Sequence, residues 1–300
     1  HWPEVTEQPS GRVLKTEGNF NNLVGVPLSL LPAAVRHRGI VLEMGMNQPG
    51  EIRRLTEIAA PTIGCITNIY GAHLEGLGSI EGVAMAKGEM FEQMQDDSIM
   101  VVNLDDSLVV ERSREHQRRV VSYSVAESGD REAPDVWVTD RDSDSRGHLR
   151  FTLHIGKEQA RVTIGSPGLH NCSNACAAAA ISHAAGIGIK DIAAGLGDFC
   201  PASNRMEYLE TPGGINILND TYNANPASMA SALETLAKLP GRAKAAFLGD
   251  MLELGDQSSR LHRELGRKAA ESGVDYLAAV GAFSGDIVDG AVEAGLATDK

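Results

Sequence analysis

Short β-branched runs alternate with helical stretches along most of this chain, and that alternation restricts its fold more than any other feature. Residues 39–45 (GIVLEMG) predict a buried strand. Residues 49–60 (PGEIRRLTEIAA) predict a helix, with Pro49 near its start, Glu51 in its first turn and Pro61 as its stop. A strand is expected at 62–69 (TIGCITNI), a helix at 79–94 with Ser79 as N-cap, a strand at 99–104, a helix from about Asp105 and a strand at 120–123. Apolar strands separated by helices imply an α/β fold, a doubly wound and mostly parallel sheet covered on both faces.

The pattern changes over 126–148, where acids, Gly, Pro and Ser are scattered without period. Residues 149–155 (LRFTLHI) and 160–164 then alternate apolar and polar positions, the signature of a small antiparallel pair with one solvated face. An Ala-rich helix is expected at 171–185 and a short one at 191–196. Residues 201–205 read as a domain boundary. Strands at 215–219, 244–248 and 276–280 then alternate with helices at 226–239, 258–272 and 283–294. These make a second, truncated Rossmann-like α/β domain. The expected division is 1–201 and 202–300, in keeping with ~100–200 residues per domain.

Composition narrows the function. Hydrophobic residues make up 42% and charged residues 22%, enough to form cores and too apolar for a disordered chain. Lys plus Arg number 27 against 40 Asp plus Glu, a formal charge of −13. A chain so acidic is not expected to bind nucleic acid, whose phosphates need a basic face. Phosphorylated small molecules stay open, because Mg²⁺ and backbone N–H groups can hold them. No apolar run reaches the ~20 residues of a membrane span, so none is expected. The four cysteines form no CxxC pair and predict small buried thiols in a reducing cytoplasm. The polar start, His1-Trp2-Pro3-Glu4, has neither an initiator Met nor a signal-peptide core, and suggests a piece of a longer protein.

Open parallel sheets bind ligands beyond the carboxyl ends of their strands. Four polar clusters fall at such places. Glu43, Gly45 and Asn47 follow the first strand, and Thr67-Asn68 with Gly71-Ala72-His73-Leu74-Glu75-Gly76 follow the second. Asn219-Asp220-Thr221-Tyr222-Asn223-Ala224-Asn225-Pro226 and Gly249-Asp250-Met251-Leu252-Glu253-Leu254-Gly255 end strands of the second domain. Carboxylate plus His on one rim suits a hard divalent cation or an acid–base pair. Each cluster also has a plainer reading. Glu43 could be a cap or surface charge, His73 a loop residue, and the Asn-rich run turn chemistry. The spacing of Lys87 by itself marks a solvated helix lysine. Asp140-x-Asp142-x-Asp144 is not a calcium loop, since the required Gly and Glu positions hold Ser145 and Phe151.

Taken together, these motifs resemble the Mur ligase family. The resemblance is carried by Lys15-Thr16-Glu17-Gly18-Asn19-Phe20-Asn21-Asn22, Glu43-Met44-Gly45-Met46-Asn47, Thr67-Asn68-Ile69 with Ala72-His73-Leu74-Glu75, and Ala86-Lys87-Gly88-Glu89. It continues through His170-Asn171-x-x-Asn174-Ala175, Asn204-Arg205-Met206-Glu207, Asp220-x-Tyr222-Asn223-Ala224-Asn225-Pro226 and Gly249-Asp250-Met251-x-Glu253-Leu254-Gly255, all in family order. It implies an ATP-dependent amide ligase of peptidoglycan precursor synthesis, monomeric and cytoplasmic, with Mg²⁺ as cofactor. Its substrates would be a UDP-N-acetylmuramoyl-tripeptide, activated as an acyl phosphate, and D-alanyl-D-alanine, whose amine attacks it.

By position, the resemblance makes Glu43 and His73 Mg²⁺ ligands and Lys87 a carbamylated lysine, a third ligand; these three are the expected catalytic residues. It gives Asn171 and Asn174 to adenine, and Arg205, Asp220 and Asn223 to ribose or phosphate. Asn21, Asn22 and Asn225 would border the substrate. One departure stands out: no GxxxxGK[ST] phosphate loop occurs anywhere in the chain, although the family carries one shortly before the position of Lys15. The expectation is a central ATP-binding domain without its phosphate loop plus part of a C-terminal domain, inactive alone. The alternatives are a sister Mur or folylpolyglutamate-type ligase, or a binding protein that has lost catalysis.

Overall fold

The computed structural model describes residues 12–70, 74–126, 133–144, 146–168 and 170–297. They form two compact units, one running to Tyr123 together with Ala180–Ile187, the other Ser124–Ala179 with Gly188 onward.

In the first unit, β1 (Val13–Lys15) leads into the short helix α1 (Gly25–Leu30) and then β2 (Gly39–Val41), which pairs parallel with β1. Helix α2 (Glu51–Ala59) follows. Its start is held by two carboxylates. Glu51 Oε2 accepts from the N–H groups of Asn47 and Gln48, and Glu89 accepts from Gly50 N at 2.7 Å and Arg53 N at 3.0 Å. Negative charge there offsets the positive end of the helix dipole. The helix stops at Ala60, whose left-handed φ of 43° precedes Pro61. Strand β3 (Ile63–Ile66), helices α3 (Leu74–Leu77) and α4 (Ile80–Gln93), β4 (Ile99–Asn103), α5 (Ser107–Arg114) and β5 (Arg119–Ser124) complete the series. Ser79 caps α4 by accepting from Gly82 N, as expected, and Asp106 caps α5. Strands β3, β4 and β5 are parallel and in register, Cys65 beside Val101 and Val101 beside Val121. Their core contains Val26, Leu55, Ile66, Val83, Phe91, Met100 and Val109, packed with few exposed atoms.

In the second unit, β6 (Val136–Ser143), β7 (Leu149–Ile155) and β8 (Glu158–Ile164) form an antiparallel meander. Three strands stand where the alternation predicts two. The first was hidden because Asp140, with a positive φ of 50°, and a register shift between Thr139 and Asp142 break the period. The alternation of β7 is the predicted one, with Leu149, Phe151, Leu153 and Ile155 buried. The three carboxylates of the false calcium motif are engaged locally. Asp140 accepts from the Thr139 and Thr152 hydroxyls, Asp142 pairs with Arg150, and Asp144 accepts from the N–H groups of Arg146 and His148.

Helices α6 (His170–Ala184) and α7 (Ile189–Gly197) follow, and α6 buries its small face through Cys172, Ala175, Cys176 and Ala179. The later series does not begin at β10 (Asn216–Asn219), as the sequence suggests. It begins with β9 (Glu207–Glu210), which pairs antiparallel with β10. Helix α8 (Pro226–Lys238), strand β11 (Ala245–Leu248), helix α9 (Ser258–Glu271), strand β12 (Tyr276–Ala279) and helix α10 (Ser284–Glu293) complete it, with β11 and β12 parallel. Leu233, Met251, Leu265, Ala269 and Ile287 form its core. Helices α9 and α10 approach at Gly266 and Gly290, where an added Cβ would lie under 2 Å from the carbonyls of Ile287 and Arg263. The protein is therefore α/β, with a mostly parallel arrangement, a small antiparallel element and a second α/β section.

The four cysteines form no disulfide, and they are not all buried: Cys65 is half-buried, and Cys200 is exposed, beyond the end of α7 beside the exposed Phe199. No helix among the described residues is long and apolar enough to cross a membrane.

Candidate active site

In the first unit, Glu43 lies just beyond β2 and is held in place by the 16–22 segment. Its backbone N–H donates to Thr16 Oγ1 at 2.9 Å, and its Oε1 accepts from Asn21 Nδ2 at 2.9 Å. The main chains are joined as well, Gly45 N donating to Asn21 O at 2.8 Å. A Cβ on Gly45 would lie 3.1 Å from the Asn21 amide, so the two segments run close together. The exposed Glu43 carboxylate thus has one oxygen oriented by Asn21, an arrangement suited to a hard cation that prefers oxygen donors. Asn22 does other work: its Oδ1 accepts from Val24 N and Gly25 N and caps the chain entering α1.

Lys87 sits on α4 between the buried Ala86 and Gly88, and its Nζ donates to the Asn68 carbonyl at 2.6 Å. Burial pushes its ammonium below the ordinary lysine range, and the Asp106 carboxylate opposes that shift. An amine that holds its proton less tightly than usual is one whose neutral form can add CO₂. Asn68 lies just beyond β3. His73, the other expected ligand, lies outside the described residues. Among the described residues no group of three or more His, Cys, Asp or Glu could hold a metal by itself.

The second unit holds the remaining candidates in two places. At the start of α6, Asn171 Nδ2 donates to Ser166 Oγ at 2.9 Å and to the Pro167 carbonyl at 2.7 Å, while its Oδ1 accepts from Asn174. These two amides are coupled, and Asn174 is exposed. Further on, the 204–206 turn and the end of β10 are laced together. Asp220 Oδ1 accepts from Met206 N at 3.0 Å, Asn204 O from Tyr222 N, and Asn204 Oδ1 from Asn219 Nδ2. Asn204 and Met206 take left-handed φ values of 63° and 50°, backbone strain of the kind that gathers at functional turns. The exposed Arg205 guanidinium lies 3.8 Å above the Tyr222 ring. Asn223 accepts from its neighbour Ala224 N. Asn225 caps α8 in a reciprocal box with Ser228, ahead of Pro226.

Sequence reasoning passed over Asn103, Asp106 and His262. The first two end β4 as Glu43 ends β2, so the strand-end rule could have found them. His262 is fully buried, its Nε2 accepting from Met251 N at 2.8 Å and its ring stacked on Phe283.

Residues 4–182 match the Mur ligase middle domain, and residues 204–298 match the Mur ligase, glutamate ligase domain. The chain belongs to the Mur ligase family. Among its relatives is the UDP-N-acetylmuramoyl-tripeptide–D-alanyl-D-alanine ligase of Mycobacterium tuberculosis, 35% identical over 97% of this chain and 58% of that enzyme. A crystal structure of MurF from Acinetobacter baumannii superposes with a TM-score of 0.85 at 33% identity, covering 93% of this Mur ligase chain and 60% of that one. MurF ligase from Thermotoga maritima, solved in complex with ADP, has a TM-score of 0.80 at 27% identity, over 92% and 62%. The chain thus spans about 58–62% of the length of these relatives.

Proposed function

We propose that this chain supplies the central and C-terminal catalytic portions of a ligase that joins D-alanyl-D-alanine to a UDP-N-acetylmuramoyl-tripeptide at the expense of ATP. The observation that carries the reading is Lys87: a half-buried amine with lowered proton affinity, 2.6 Å from the Asn68 carbonyl just beyond β3. Its support is the run of motifs in this chain and its similarity to UDP-N-acetylmuramoyl-tripeptide–D-alanyl-D-alanine ligases. ATP phosphorylates the terminal carboxylate of the tripeptide, releasing ADP. The dipeptide amine then attacks the acyl phosphate, the C–N bond forms, phosphate leaves, and the amine proton passes to solvent.

In this reading Glu43, His73 and carbamylated Lys87 would hold Mg²⁺, which when bound neutralises charge on the transferring phosphoryl group. Lys87 becomes an anion when its neutral amine adds to CO₂ and the lost proton goes to solvent. Asn21 orients Glu43. Asn171 and Asn174 face adenine, Arg205, Asp220 and Asn223 face ribose or phosphate, and Asn22 and Asn225 hold the backbone that borders the substrate. The domains are 1–201 and 202–300, and the protein acts as a cytoplasmic monomer.

The test is ADP release by the intact protein carrying this chain, with the UDP-linked tripeptide and a panel of amines. Release that depends on D-alanyl-D-alanine supports the reading, whereas release with glutamate or a diamino acid instead assigns a sister ligase. Residues 1–300 alone, with no GxxxxGK[ST] segment, are expected to form no ADP from the same mixture.

A further inference from the structure

The carbonyl that meets Lys87 is itself held from behind. The Asn68 carbonyl and the Ile69 N–H belong to one planar trans peptide and point in opposite directions. Lys87 Nζ donates to the carbonyl at 2.6 Å, and the Ile69 N–H donates to Asp106 Oδ2 at 2.7 Å. The preceding peptide is held too. The Thr67 carbonyl accepts from Asn103 Nδ2 at 2.8 Å and from the Tyr123 hydroxyl at 3.3 Å. Asp106 and Asn103 are fixed in their turn: Asp106 Oδ1 accepts from Leu108 N and Val109 N at the start of α5, and Asn103 Oδ1 accepts from Asp105 N.

We infer that Asp106 and Asn103 are positioning residues for Lys87, setting the direction of the Asn68 carbonyl and, through it, the orientation of the group on Nζ. The inference rests on the reading of Lys87 as a carbamate. A carbamate nitrogen keeps a single N–H. Given to Asn68, that N–H fixes rotation about the Cε–Nζ bond and with it the plane in which both carboxylate oxygens lie. A peptide free to tilt would leave the oxygens without a direction. Two residues outside the proposed Mg²⁺ ligands would thereby set the geometry of one of them.

Isosteric exchange separates this role from capping. Asp106→Asn keeps an oxygen for the α5 N–H groups but turns an amide N–H toward the Ile69 N–H. Asn103→Asp keeps the acceptor for Asp105 N but sets a carboxylate oxygen against the Thr67 carbonyl. The experiment is ¹³C NMR of the intact protein carrying this chain in ¹³C-bicarbonate, well below the melting temperature, with Lys87→Arg to assign the carbamate signal. Asp106→Asn removes a carboxylate that favours the uncarbamylated ammonium, which alone would raise the carbamylation constant, so a fall of about tenfold there, the scale of one mispaired hydrogen bond, reports the peptide; Asn103→Asp is expected to lower it as much, and Glu111→Gln on α5 to leave it unchanged. Undiminished occupancy in either folded exchange overturns the positioning role. A wild-type chain with no Lys87 signal overturns the carbamate reading itself, and is recognised before any substitution at 103 or 106. If Asp106→Asn does not fold, Asn103→Asp decides the matter.

Discussion

Replacing Gly281 with Ala should damage the loop 249–255 out of proportion to one methyl group. Gly281 has a φ of 125°, a conformation L side chains rarely adopt, and a Cβ there would lie 2.3–2.4 Å from the Asp250 carboxylate. That carboxylate accepts from Ala282 N at 2.6 Å and Phe283 N at 3.1 Å, closing the entry to α10. The strain of the backbone costs about 1–3 kcal/mol. Moving the carboxylate forfeits charge-assisted hydrogen bonds of about 1.5–3 kcal/mol each, so the loss of one brings the total to about 2.5–6 kcal/mol. Gly273 supplies the control. It also has positive φ, 75°, but nothing lies within 4 Å of its added Cβ, so Gly273→Ala meets strain alone. In an Asp250→Ala background the clash disappears, and Gly281→Ala should then cost little more than Gly273→Ala. Urea unfolding followed by circular dichroism measures all four variants, the Asp250→Ala single included, and the double-mutant cycle should return a coupling of about 2 kcal/mol. A Gly281→Ala variant no less stable than Gly273→Ala, or an additive cycle, would refute the placement of Asp250 against this turn.

Three further outcomes are expected of the protein. Lys87 binds its proton less tightly folded than unfolded, where its ordinary value is 10.5, so the uncarbamylated charged form costs stability below its folded value, and the cost fades as pH rises toward 10.5. In CO₂-free buffer Lys87→Met should therefore melt higher than wild type at neutral pH, with the advantage shrinking on alkalinisation; an advantage that grows with pH contradicts the burial of the amine. Cys200 should react with a thiol reagent in the native protein, whereas Cys172, pushed up to about 11 by burial, and Cys65, pushed up to about 12, should stay silent until unfolding. Asn22→Ala removes the acceptor for two N–H groups at the entry to α1 and should cost about 1 kcal/mol in urea.

Elements with a strong period were legible in the sequence and the rest were not. Strand β7 lies where its alternation put it, and Ser79 caps α4 as its position before the helix implies. The strand at 39–45 shrinks to Gly39–Val41, because past Val41 the backbone turns to bond the 16–22 segment rather than a neighbouring strand. Strand β1 was missed since it has only three residues, and β6 since a positive-φ Asp140 interrupts it. The β9–β10 hairpin was half seen, because β9 (EYLE) is too short and charged to carry a hydrophobic signal.

The site was legible by residue type and illegible by partner. Asn shows why. Asn21, Asn22, Asn103 and Asn225 look alike in the sequence, yet one orients a carboxylate, two cap helix starts, and one donates to a strand-end carbonyl while accepting from the following turn. An amide can do any of these, and which it does depends on the backbone group a distant segment presents. Lys87 is the sharper case. Its spacing marks a solvated lysine, and the buried Ala86 and Gly88 beside it give no sign of the carbonyl it meets. That carbonyl comes from β3, nineteen residues away, and its direction comes from β4 and the start of α5. The chemistry of Lys87 is thus set by three segments that share no local pattern. A search for such sites should follow peptide planes held at both ends as well as the side chains that end on them.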